Sequence, residues 1–288
     1  MIKKNYIVAD HNFSIVIEES LTCDMGQYEP FLAKEEVTSP LFTMRIQRLL
    51  GPIQYTEEYR QIEEGQEIIC GQMADGRPVF GFRLSDNDAG WLLCSDNFHD
   101  NTLLLTRFNQ KLAVDNALML LFALASAPFD TALFHSSVVS YRGKGYMFLG
   151  KSGTGKSSHS SMWLKHISGT ELVNDDNPVV RIIDGTAYVY GSPWSGKTPC
   201  YRAVRYPVGG FVQLNQAPYN KIHQLKGVRA YAVLVPSISG MRWNSQIAQG
   251  LHNTENRLVG NVPIWYLDCL LNQEAALLCN ETITTKDN

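Results

Sequence analysis

The chain has little that would stabilise a small secreted or zinc-bound fold. Its six cysteines, Cys23, Cys70, Cys94, Cys200, Cys269 and Cys279, form no CxxC pair and no Cys/His spacing of the zinc-ligand kind, which argues against a metal-nucleated fold and reads as free thiols in a reducing cytoplasm. Long apolar runs are missing too. The most apolar, 117–125, falls well short of the roughly 20 residues a membrane span needs and reads as part of a buried helix over about 111–127. The N-terminus, MIKKNYIV, reaches Asp10 and His11 with no long apolar core, so no signal peptide is expected. A net charge of −3 on 288 residues, with no basic patch interleaved with aromatics, argues against a nucleic-acid or membrane-surface partner. Neither GxSxG nor HExxH occurs, and there are no internal repeats. What remains is a chain whose 44% apolar residues suffice for a real core.

Against that background one stretch stands out. GKSGTGKS at 150–157 fits GxxxxGK[ST] and is followed by the acidic pair Asp175 and Asp176. Glycines allow a tight turn that points successive N–H groups inward, where they cradle phosphate oxygens at the positive end of the following helix. Gly150, Ser152, Gly153, Thr154, Gly155, Lys156, Ser157 and Ser158 would line that cradle. Lys156 would reach the β- and γ-phosphates of ATP, and the Ser157 hydroxyl would take one position on Mg²⁺, which needs only one or two protein carboxylates. Asp175 and Asp176 are the candidate carboxylates, or else a turn cap before Asn177-Pro178. If functional, Asp176 is preferred for the metal and Asp175 as base for the attacking hydroxyl.

The pattern occurs a second time, GSPWSGKT at 191–198, so context must choose. The first match follows the apolar run Tyr146-Met-Phe-Leu149 and precedes a helix expected over 156–167, with Met162, Trp163 and Ile167 near helical spacing. In the second, Pro193 removes a donor inside the loop, and Pro199 and Pro207 forbid a useful helix after it. The first is the working phosphate loop.

Its surroundings are unusual. The entering strand is preceded by Ser137-Ser-Val-Val-Ser-Tyr-Arg142 and a tight turn through 143–145, so its neighbour is antiparallel rather than a crossover partner. A second hairpin, Val179–Ile183 and 187–190 about Asp184-Gly185, follows the acid pair. The fold class expected is α+β or mixed α/β: a mixed-sheet P-loop core over 101–288, with a strand near 262–268 and a helical segment over 273–279. The first hundred residues, 1–100, contain β-rich runs at 6–18, 41–47, 66–72, 77–85 and 91–95, read as a small antiparallel sheet with a boundary near 96–105.

Beyond the loop, Trp194 sits between Pro193 and Ser195 and reads as bordering a pocket, with core packing the alternative. Lys197, Arg202 and Arg205 form a local positive cluster, either a solvated face or a stabiliser of the transferred phosphoryl.

These features together resemble the catalytic domain of HPr kinase/phosphorylase and its relatives, which share a fold with phosphoenolpyruvate carboxykinase. The likeness rests on His135 opening the hairpin, GKSGTGKSS at 150–158 and Asn174-Asp-Asp176, and covers about 130–275; the 191–202 segment resembles a related subgroup of unassigned substrate. It implies His135, which on its own reads as readily as a satisfied core histidine, as a site residue, and homo-oligomerisation as the family habit. HPr kinases carry a Glu directly after the loop's Lys-Ser and a later ExRGxG signature; here Ser158 follows Ser157 and that signature is absent, which leaves the acceptor open. The expectation is a Mg²⁺-dependent kinase moving the γ-phosphoryl of ATP to a hydroxyl, of serine by preference, on a protein, peptide or small molecule. A nucleotide-binding sensor and a carboxykinase-like enzyme are the alternatives.

Overall fold

The computed structural model describes residues 1–63, 65–196 and 198–285. They divide into two units, Met1–Ser126 and Ala127–Asn288.

In the first unit eight strands form one sheet: β1 (Ile2–Val8), β2 (His11–Ile17), β3 (Thr43–Arg48), β4 (Thr56–Glu63), β5 (Gln66–Gln72), β6 (Pro78–Leu84), β7 (Asn87–Cys94) and β8 (Asp100–Leu105), in the order β1-β2-β3-β8-β7-β6-β5-β4. The run at 6–18 is split by a two-residue turn, where Ala9 and Asp10 have φ of 49° and 59°, the geometry that suits strand twist in a hairpin. The sheet is mixed, which corrects the antiparallel expectation. β3 runs parallel to both β2 and β8, because the long connection from β2, containing a 3₁₀ turn at Gly26–Phe31, returns the chain to the same end of the sheet. Helix α1 (Gln110–Ser126) packs on β6, β7 and β8 and therefore belongs with this unit, whereas the sequence reading placed it after a boundary near residue 100.

The second unit contains β9 (Thr131–Leu133), β10 (Ser136–Tyr141), β11 (Lys144–Leu149), α2 (Lys156–His166), β12 (Glu171–Asp176), β13 (Val179–Ile183), β14 (Thr186–Tyr190), β15 (Arg205–Gln216), β16 (Lys221–Leu225), α3 (Val228–Leu234), α4 (Ser245–Asn261), β17 (Ile264–Cys269) and α5 (Gln273–Thr284). Both expected hairpins form: β10 with β11 about Arg142-Gly143, and β13 with β14 about Asp184-Gly185. The centre is β15. Its first residues, Arg205–Pro207, pair antiparallel with β14, while residues 208–213 run parallel to β11 on one side and residues 211–216 parallel to β17 on the other.

A core of Tyr146, Phe148, Val212, Leu214, Trp265 and Leu267 from the sheet meets Trp163 of α2 and Ala275, Ala276 and Cys279 of α5. Trp163 is fully buried, its ring centroid 5.7 Å from Tyr146 and 5.5 Å from Phe148; truncating such a residue to alanine costs about 3–5 kcal/mol. Among the described residues, no helix is long and apolar enough to cross a membrane.

Candidate active site

Helix α2 buries Lys156, His159, Ser160 and Trp163, the i, i+3, i+4, i+7 stripe of one helical face. That stripe is polar at its N-terminal end and apolar at its C-terminal end, so the helix is seated by Trp163 and presents chemistry at its start. Its N-cap is Gly155, with φ of 100° and no side-chain cap. The left-handed backbone favours glycine there, and the uncapped first turn leaves its N–H groups for an anion.

Lys156 is buried, and its Nζ lies 2.8 Å from His135 Nε2, 3.0 Å from the Gly150 carbonyl and 3.4 Å from that of Lys151. The sequence reading allowed this lysine little structural role without an anion; the structure supplies one, since carbonyl dipoles of its own loop take its donors. An ammonium can only donate, so His135 Nε2 accepts and its Nδ1–H points to Asp176 Oδ1 at 3.1 Å. Lys156, His135 and Asp176 form one continuous chain. Asp176 Oδ2 accepts from Asn177 Nδ2 at 2.7 Å.

Neighbouring residues on a strand face opposite ways, and Asp175 accordingly has different partners. It is 5% exposed. Its Oδ1 accepts from Ser137 Oγ at 2.7 Å, and Ser137 Oγ lies 2.6 Å from Ser160 Oγ on α2. Just before the pair, the β10–β12 register shifts between Val138 and Val139, which pair with Asn174 and Leu172, so Val173 is an extra, bulged residue. A bulge re-aims the side chains beyond it, which accounts for Val173, Asn174 and Asp175 all being buried in succession.

The second glycine motif has a different use. Asp176 forms a bridge with Ser195, and Gly196 N donates to the Asp175 carbonyl at 3.2 Å. A Cβ on Gly196 would stand 2.8 Å from that carbonyl oxygen and 3.1 Å from Asp176 Cβ, so only glycine allows the approach. Asn174 locks the loop: its Nδ2 reaches Ser192 Oγ and the Trp194 carbonyl, while its Oδ1 accepts from the amides of Asp176 and Asn177. Trp194 is 4% exposed, so it packs inside and the loop contributes backbone beside the acids. Lys197 lies outside the described residues.

Arg202 and Arg205 are not gathered here. Arg202 donates to the Leu172 carbonyl at 2.7 Å and pairs with Glu171 at 2.8 Å, at the start of β12 and roughly 13 Å along the strand from the acid pair at its end. The Arg205 guanidinium lies over the Tyr188 ring at 5.1 Å and donates to Tyr190 Oη. Ser137, Ser160 and Asn174 were not singled out as site residues. The signal was present: Ser160 is four residues after Lys156, on the same helical face, and Ser137 is two after His135, which immediately precedes β10.

His159, one turn into α2, is buried beneath the loop; its Nε2 accepts from Trp163 Nε1 at 3.1 Å, and burial pushes its pKa down to about 4. Among the described residues no cluster of three or more His, Cys, Asp or Glu forms a metal cage. Mg²⁺ does not require one, since it keeps waters and shares its shell with phosphates. The exposed Ser157 and a carboxylate whose Oδ2 has no side-chain partner among the described residues, on Asp175, are donors of the type it takes.

No family model matches the chain, and no curated protein does. Among solved structures, the Hpr(Ser) kinase/phosphatase from Coxiella burnetii is similar over 52% of this chain and 92% of its own, at 11% identity and a TM-score of 0.31. The likeness is a distant one of fold.

Proposed function

We propose that the second unit is a phosphotransferase that moves the γ-phosphoryl of ATP to a hydroxyl of a protein, peptide or small molecule. The observation that carries this reading is the Lys156–His135–Asp176 chain, which joins the lysine of a glycine loop on a strand–helix junction to one member of an acid pair. The first-turn N–H groups of α2 and the Lys156 ammonium bind the β- and γ-phosphates, the ammonium exchanging its loop carbonyls for phosphate oxygens. Ser157 and Asp175 would hold Mg²⁺, which neutralises charge building on the phosphates.

The two carboxylates differ in access. The Asp176 side chain is 33% exposed, whereas Asp175 is buried, so the more accessible Asp176 is assigned the acceptor's proton, reversing the preference drawn from sequence. The acceptor oxygen forms a bond to the γ-phosphorus, the bond from that phosphorus to the β–γ bridging oxygen breaks, ADP leaves, and the acceptor's proton passes to Asp176. His135 orients that carboxylate through Nδ1–H. Ser160 and Ser137 hold Asp175 against α2, so loop and acid pair keep a fixed separation, which is how positioning lowers the barrier.

The test is transfer of label from γ-labelled ATP with Mg²⁺ into a cell extract and a panel of free hydroxy amino acids. Wild type labels an acceptor. Lys156→Ala loses at least about 100-fold in rate, the scale for removing one charge-stabilising group, and Asp176→Asn loses turnover while still binding nucleotide. Wild-type transfer by Lys156→Ala would overturn the reading; bound nucleotide with no label in any acceptor would replace it with the sensor.

A further inference from the structure

The parallel strands β11, β15 and β17 end at one edge of the sheet, and ligands of open sheets with parallel strands lie outside such carboxyl ends. Three loops leave that edge: the glycine loop, the segment 217–220 and the segment 270–272. They are tied together. Gln216 Nε2 donates to the carbonyls of Gly153 and Thr154, each at 3.3 Å. Ala217 N donates to the Cys269 carbonyl, Leu270 N to Asn220 Oδ1 and Asn220 Nδ2 to Asn272 Oδ1.

On this bonded frame three large apolar side chains face solvent: Tyr219 (54% exposed), Leu270 (44%) and Leu271 (43%). Leu271 also overlies the phosphate loop, its Cδ2 being 2.7 Å from where a Cβ on Gly155 would sit. The acid pair lies on the other flank of β11, since the strands run β12-β10-β11-β15 with β17 beyond β15.

We infer that Tyr219, Leu270 and Leu271 form the platform on which the purine base of the nucleotide rests. This deepens the proposed phosphotransferase reading and rests on it. Phosphates at the loop place the nucleoside on one flank and leave the other, with Asp176, to the acceptor. An exposed aromatic and two leucines on loops tied to the phosphate cradle, with Leu271 directly over it, suit a flat apolar ring better than a protein surface. Gln216 Nε2 and both polar atoms of the Asn220 amide are engaged in tying the loops, so the platform holds the base chiefly by its faces.

The experiment measures binding of ATP and of inorganic tripolyphosphate to the full chain by calorimetry, for wild type, Tyr219→Ala, Leu271→Ser and Lys156→Ala. Wild type binds ATP more tightly than tripolyphosphate. Tyr219→Ala weakens ATP about tenfold, the scale of one base–aromatic stack, and Leu271→Ser several-fold, while both leave tripolyphosphate within about twofold. Unchanged ATP affinity in both variants, with Lys156→Ala still weakening both ligands, would overturn the platform and leave the phosphate site standing. If Lys156→Ala alters neither ligand, the phosphate site itself is refuted and the platform with it.

Discussion

His159 makes the stability of the second unit sensitive to mild acid. Its Nε2 accepts the Trp163 indole N–H, its Nδ1 has no hydrogen-bond partner among the described residues, and its ring meets Phe148 edge-on with centroids 4.7 Å apart. A second proton would place a cation in that apolar site, which is why burial lowers the pKa from 6.5 to about 4. The unfolded chain therefore binds a proton near pH 6.5 that the folded chain resists down to about 4, and stability falls as pH drops through that window. The contribution is fully present above about 6.5. At roughly 1.4 kcal/mol per pH unit the loss reaches about 2.5 kcal/mol by pH 4.5 and levels off at about 3.4 kcal/mol well below pH 4. For a unit of this size that lowers the melting temperature by about 5–10 °C. Urea unfolding followed by tryptophan fluorescence between pH 7.5 and 4.5, compared with His159→Gln, isolates the effect, because a glutamine oxygen can still accept from Trp163 and any pH-independent cost cancels from the slope. The wild-type curve should fall toward the variant's by about 2.5 kcal/mol over the range. Parallel curves would refute the reasoning.

Two further changes test how the site is framed. The Glu255 carboxylate is wholly buried in α4, with Arg242 Nη1 2.5 Å from Oε1 and Tyr231 Oη donating to Oε2 at 2.7 Å. Arg242→Ala should cost about 2–3 kcal/mol in denaturant unfolding, below the 3–5 of a fully buried pair because Arg242 is itself 37% exposed; adding Glu255→Gln should recover most of the loss. Arg202→Ala should keep phosphoryl transfer within about threefold and change stability by no more than about 1 kcal/mol, since its ion-pair partner Glu171 is exposed. A 100-fold fall in transfer would return Arg202 to the catalytic set.

Local patterns were legible in the sequence. Both hairpins of the second unit and α2 follow from short-range chemistry: positive-φ turn residues at 142–143 and 184–185, and a glycine loop before a helix. Pairings between distant segments were not. No strand was read at 205–216, where Pro207 and the Gly209-Gly210 pair look like breakers, yet that stretch is the centre of the sheet because Pro207 sits where β15 passes from β14 to its parallel neighbours. Helix α4 escaped notice because Thr254 and Glu255 interrupt its apolar stripe of Ile247, Leu251 and Leu258; the Arg242 ion pair makes that interruption tolerable. In the site, residue types pointed to Lys156, Asp175, Asp176 and His135, while the link from Lys156 through His135 to Asp176 depends on the β10–β12 register. The arginines illustrate the converse, since proximity in sequence to a phosphate motif did not bring Arg202 or Arg205 to it.

The strand that carries the phosphate loop has two edges with different folding histories. Toward β10 it closes a two-residue turn, a contact that forms within microseconds in isolated hairpins. Toward β15 it pairs Gly145–Leu149 with Val208–Gln213, which must wait for a long intervening chain to close. A nascent chain that has emerged only through α2 therefore presents β11 as an open edge, bearing Tyr146, Met147, Phe148 and Leu149 with no partner strand, and such edges recruit other chains. Recombinant pieces that stop before β15 are accordingly poor starting material for studying this loop in isolation, and the amides of Phe211 to Gln213, flanked on both sides by parallel neighbours, should be among the last in the unit to exchange with solvent.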